Sequence, residues 1–119
     1  MISYVVASKN EVLHKSSHSY VRSTVFAQFC DFDEFVMSYR PQVEGGGVFL
    51  ETEKLLPISQ IVSIEFSFAD SDIIFLKGEG EILSHSAQTE AVGPGIVIRF
   101  LNLDDKSKVL LSKLSNQYL

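Results

Sequence analysis

The chain has 119 residues, a formal net charge of −5 and a hydrophobic fraction of 45%. That is the length of one domain with enough apolar residues for a core, which excludes wholesale disorder and leaves little room for a second domain. An acidic balance gives no general attraction to nucleic acid or anionic lipid, and no apolar run reaches the roughly 18 residues that span a bilayer.

Residues 1–21 read as an N-terminal arm. Ile2, Tyr4 and Val6 alternate as in a short strand, and no basic region precedes Val5-Val6-Ala7, so a secretory signal is not expected and the cytoplasm is the expected compartment. Asn10 to Lys15 reads as one or two helical turns capped by Asn10, and the Ser-rich stretch His14 to Ser19 as a linker. The barrel domain is expected over residues 22–119. Val25, Ala27 and Phe29 share one face of a strand that ends near Cys30. Asp31 to Glu34 reads as a turn. Phe35, Met37 and Tyr39 then alternate with Val36, Ser38 and Arg40, which predicts a second strand and a hairpin. Pro41 makes Arg40 to Glu44 an edge or exit. Cys30, the single cysteine, has no partner for a disulfide or a Cys-based zinc site and reads as a small buried thiol.

Gly45-Gly46-Gly47 permits positive φ and close backbone approach at a corner, before a short strand from Val48 to Thr52. Leu55 and Leu56 are expected to cap the barrel. Ile61 to Phe68 is the clearest strand, with Val62, Ile64, Phe66 and Phe68 facing in. Asp70-Ser71-Asp72 is a turn, and Ile73 to Ser84 is a long strand bent at Gly78 and Gly80. After a polar loop, Gly95 to Phe100 forms the last strand. From Asp104, which reads as an N-cap, Leu110, Leu111, Leu114 and Tyr118 make a helical stripe, with Lys106, Lys108 and Lys113 largely off it. The prediction is a mainly β fold: a six-stranded antiparallel β-barrel, closed or nearly so, with a C-terminal α-helix.

The order of these segments resembles the PilZ domain family. The resemblance rests on Val48-Phe49-Leu50-Glu51-Thr52 after the glycine corner, Leu56-Pro57-Ile58 before a strand, and Gly78-Glu79-Gly80-Glu81-Ile82. Gly95 to Phe100 and Leu103-Asp104-Asp105 complete it, so it covers roughly Arg22 to Leu114. The chain also resembles the branch of this family found as many paralogues in gliding deltaproteobacteria. Such domains bind cyclic di-GMP through R-x-x-x-R before the first barrel strand and [D/N]-x-S-x-x-G at a strand corner. The arginines clamp phosphate bidentately and stack on guanine. Here the first slot reads His18-Ser19-Tyr20-Val21-Arg22, keeping only the second arginine. The second reads Gln42-Val43-Glu44-Gly45-Gly46-Gly47, where only Gly47 matches and Glu44 sets a carboxylate in place of a hydroxyl. Each departure costs on the order of 1–3 kcal/mol, together roughly a hundredfold or more in affinity.

The resemblance therefore implies a regulatory or adaptor module that acts on a protein partner, in bacterial surface motility through type IV pili or gliding. Its degraded slot of His18, Tyr20, Arg22, Arg40, Gln42, Glu44 and Gly47 is the candidate partner face. Two alternatives stay open: a weak or atypical cyclic di-GMP receptor using Arg22, Arg40 and the glycine corner, and a small nucleic-acid-binding barrel. The second would need a basic groove with exposed aromatics, whereas the lysines and arginines are scattered. No catalysis, cofactor, metal or membrane insertion is expected. His14 and His18 are four apart but lack an H-E-x-x-H pattern, and His85 reads as a surface residue. No nucleophile elbow is present, and the glycine run lacks the Lys-Ser/Thr of a phosphate loop.

Overall fold

In the computed structural model, residues 11–15, 18–86 and 93–118 are described, with side chains for 23–86 and 93–114. Before the main sheet, β1 (Glu11–Lys15) and β2 (His18–Arg22) pair antiparallel as a separate two-stranded sheet, with Lys15 opposite His18 and Glu11 opposite Arg22. This corrects two expectations. Glu11 to Lys15 is strand, not helical turn, and His14, Lys15, His18 and Ser19 belong to strands, not to a linker. Val12, Tyr20 and Val21 are the β-branched and aromatic residue types that favour strand.

The main sheet has six strands in the order β3-β6-β7-β8-β5-β4 and curls into a half-barrel. These are β3 (Thr24–Phe29), β4 (Tyr39–Arg40), β5 (Gly47–Glu51), β6 (Ile61–Phe68), β7 (Ile74–Ser86) and β8 (Gly95–Leu103). The helix α2 (Asp105–Tyr118) closes the fold. Period-two alternation sets the core. Val25, Ala27 and Phe29 from β3, Val62, Ile64 and Phe66 from β6, and Ile96, Ile98 and Phe100 from β8 are all buried. Leu111 and Leu114 bring α2 into the same core, and Leu110 is half-buried. Of the two leucines expected to cap the barrel, Leu56 is buried and Leu55 exposed.

The predicted hairpin after β3 is instead a helix, α1 (Phe32–Ser38). The Asp31 side chain accepts from the Glu34 N–H at 2.9 Å, and Asp33 and Glu34 occupy the first turn, where the helix dipole favours acidic groups. Phe32, Phe35, Val36 and Tyr39 then fall on one helical face and pack on the core, while Met37 is 79% exposed. Phe35 is fully buried and meets Phe29 at 5.4 Å and Phe75 at 5.2 Å edge to face. Cys30, just before the helix, is exposed rather than buried, because the core-facing alternation of β3 ends at Phe29.

The orientation of one strand pair also differs from expectation. All the neighbours from β6 round to β4 are antiparallel, but β3 runs parallel to β6, from Thr24 opposite Ser63 to Phe29 opposite Phe68. Through α1 the chain leaves β3 for β4 at the far edge of the sheet, so β6 returns beside β3 as a crossover neighbour and not as a hairpin mate. The edges β3 and β4 are not paired with each other.

Candidate functional site

The corner between α1 and β5 carries four of the predicted slot residues: Arg40, Gln42, Glu44 and Gly47. Arg40 lies in β4, opposite Gly47 of β5. Its Nη1 donates to the Met37 carbonyl at 2.9 Å and to the Tyr39 carbonyl at 3.3 Å. A cation there satisfies an orphan carbonyl at the end of α1 and complements the negative end of its dipole. The guanidinium also lies 5.6 Å from the centre of the Phe49 ring, within cation–π range.

Two tight turns carry the chain from Arg40 to β5. The Val43 N–H donates to the Arg40 carbonyl at 3.2 Å, and the Gly46 N–H to the Val43 carbonyl at 2.7 Å. Gly45 and Gly46 have φ of 81° and 87°, so the expectation of positive φ holds at both. A Cβ on Gly46 would stand 3.1 Å from Tyr39 Oη, and the Gly46 carbonyl accepts from Phe100 N–H at 2.9 Å. Gly47, the one residue of the second motif that matches, lies beneath the Val43 side chain. A Cβ there would stand 2.8 Å from the Ile98 carbonyl and 3.1 Å from Val43 Cβ. Gln42 and Glu44 are exposed on the turn.

His18, Tyr20 and Arg22 occupy alternate positions of β2, which leads into β3 at the opposite edge of the main sheet from β4. Their side chains lie outside the described residues. The slot's two halves thus belong to opposite ends of the strand order.

Sequence reasoning missed what surrounds the corner. Arg99 of β8 is opposite both Gly47 and Glu81, and its guanidinium forms an ion pair with the Glu81 carboxylate. Beside Gly45, a groove of about 280 Å³ runs between β8 and α2. Phe100, Leu101, Leu103 and Leu111 give it an apolar wall, with Lys108 and Ser112 at its margin. The signal available was Leu101 directly after Phe100: strand alternation buries one of such a pair and exposes the other, and Leu101 is 41% exposed. His85 is exposed, as expected, and its Nε2 lies 2.6 Å from the Leu56 carbonyl, which ties the loop before β6 to β7. Among the described residues, no three His, Cys, Asp or Glu side chains are grouped to hold a metal ion, and no helix is long and apolar enough to cross a membrane. No family model matches the chain, and no curated protein is significantly similar to it.

Proposed function

We propose that this chain is a PilZ-like regulatory module, non-enzymatic and cytoplasmic, that acts by docking on a protein partner and does not require cyclic di-GMP. On that resemblance its setting is bacterial surface motility, in type IV pili or gliding. The observation that carries the reading is the self-contained chemistry of the corner. Arg40 gives Nη1 to the carbonyls of Met37 in α1 and Tyr39 in β4 and lies over the Phe49 ring, and Val43 covers Gly47. A bidentate phosphate clamp needs two nitrogens of one guanidinium, and Nη1 of Arg40 is already engaged. The polar side chains that remain exposed there, Gln42 and Glu44, are a neutral amide and a carboxylate, suited to a protein surface rather than to a dianion.

Calorimetric titration with cyclic di-GMP tests the reading. The expected dissociation constant is no tighter than about the high micromolar range. A low-micromolar or tighter value would replace this reading with that of an atypical receptor. The triple variant His18→Arg, Gln42→Asp, Glu44→Ser is expected to gain measurable binding, and complete absence of a gain would reject the slot assignment.

A further inference from the structure

The two edges of the main sheet are finished differently. β4 contributes only two residues, and its Arg40 folds back over the sheet. β3 presents Thr24-Val25-Phe26-Ala27-Gln28-Phe29, with no charge, no proline and no bulge against β6. Edge strands usually carry one of those devices, because an open row of backbone groups pairs with other strands.

The hydrogen bonds at the two ends of this strand fix which backbone groups are open. The Ser63 N–H donates to the Ser23 carbonyl at 3.0 Å, and the Ala69 N–H to the Phe29 carbonyl at 2.8 Å. In a parallel pair, alternate residues direct both backbone groups to the same neighbour. Val25, Ala27 and Phe29 therefore face β6, and Thr24, Phe26 and Gln28 face away. Thr24 is buried, whereas Phe26 and Gln28 are exposed. Among the described residues nothing bonds the outward N–H and C=O groups of Phe26 and Gln28.

We propose that β3 pairs antiparallel with β3 of a second copy of this chain, about a two-fold axis through Ala27. In this register Phe26 lies opposite Gln28 of the second copy, and Ala27 opposite its own mate. Phe26 and Gln28 each exchange N–H···O=C bonds with their opposite residue, so every outward group of both residues on both chains is used. The open pattern is self-complementary, and the two-fold leaves none of it over. Charge favours the same arrangement. Arg22 precedes the strand and Asp31 and Asp33 follow it. Antiparallel pairing keeps the acidic ends of the two strands apart, while parallel pairing would set Asp31 and Asp33 against themselves. In a chain of net charge −5, a strand without charge is also the edge where a second copy meets least repulsion.

Sedimentation equilibrium of the full chain between about 1 µM and 1 mM is the primary test. A reversible monomer–dimer equilibrium is expected, with slowed amide exchange at Phe26 and Gln28 as concentration rises. Gln28→Pro removes an outward donor that the ladder to β6 does not use, and Gln28→Lys adds a charge at the interface. Each is expected to weaken the dimer about tenfold or more, with an unchanged melting temperature in dilute solution where the chain is monomeric. If the proline variant does not fold, the lysine variant carries the test. A wild-type chain that stays monomeric throughout overturns the proposal, as does a dimer that the lysine variant leaves intact. Neither outcome bears on the cyclic di-GMP titration, so the two readings fail separately.

Discussion

Asp104 and Ser107 fasten the start of α2 to β7. The Asp104 carboxylate accepts from the Ser107 N–H at 2.8 Å and from its hydroxyl at 2.6 Å. The Ser107 oxygen in turn accepts from the Lys77 N–H at 2.9 Å, and the Asp104 N–H donates to the Lys77 carbonyl at 3.0 Å. The Ser107 hydroxyl, and then its backbone N–H, hold the Asp104 carboxyl below its ordinary value. A folded-state pKa that is lowered stabilises the fold above the unfolded-state value, and that contribution is lost as the pH falls through the folded-state value. Asp104→Ala is expected to cost about 1 kcal/mol at neutral pH, as a lost N-cap. The gap between variant and wild type in urea unfolding should narrow as the pH drops below about 4. A gap that stays constant down to pH 2 would show that the charge contributes nothing. The cap at Asp104 is legible in sequence from its place before the leucine stripe. The bond from Ser107 to Lys77 is not, because it joins residues far apart in the chain.

Among the elements, α1 is the one whose sequence fits two periodicities. Phe35, Met37 and Tyr39 alternate as in a strand, but Phe32, Phe35, Val36 and Tyr39 equally fit a helix. The deciding signal was Asp31 three residues before Glu34, an N-cap followed by an acidic first turn, which a turn reading of Asp31 to Glu34 absorbed. Met37 separates the two readings, since a strand would turn it to the core with Phe35. Met37→Lys is expected to change stability by no more than about 0.5 kcal/mol, whereas Phe35→Ala should cost about 3–5 kcal/mol. A large loss in the Met37 variant would contradict the helix. The stripe of α2 was legible because Leu111 and Leu114 have no competing period-two alternation around them. Leu114, at 1% exposure, is expected to cost about 2–4 kcal/mol on truncation to Ala, and Leu111 less, because it borders the groove beside Gly45. Equal and negligible losses at both would place α2 off the core.

The whole molecule has a graded architecture that follows from which strands have two neighbours. Strand existence could be read locally from Val62-Ile64-Phe66 or Ile96-Ile98-Phe100. Strand order could not, because the parallel partnership of β3 with β6 is chosen by the crossover through α1 and not by any residue in either strand. The candidate slot shares that difficulty, because the bond from Arg40 to the Met37 carbonyl depends on the end of a helix that the alternation hid. The order makes a prediction for native-state hydrogen exchange. β6, β7 and β8 are bonded on both sides and hold the fully buried Ile64, Phe66, Leu76, Ile82 and Ile98. Their amides are expected to exchange only through global unfolding, with protection equal to the full stability. Among the described residues β1 and β2 are hydrogen-bonded to each other and to no third strand, and a two-stranded sheet is marginal in water, so their amides should exchange through local opening at much lower cost. β3 should be split residue by residue. Val25 and Ala27 bond to β6 and should approach the core value, while Phe26 and Gln28 face outward and should exchange early in dilute solution. Equal protection across β3 under those conditions would mean that its outer edge is already covered within a single chain.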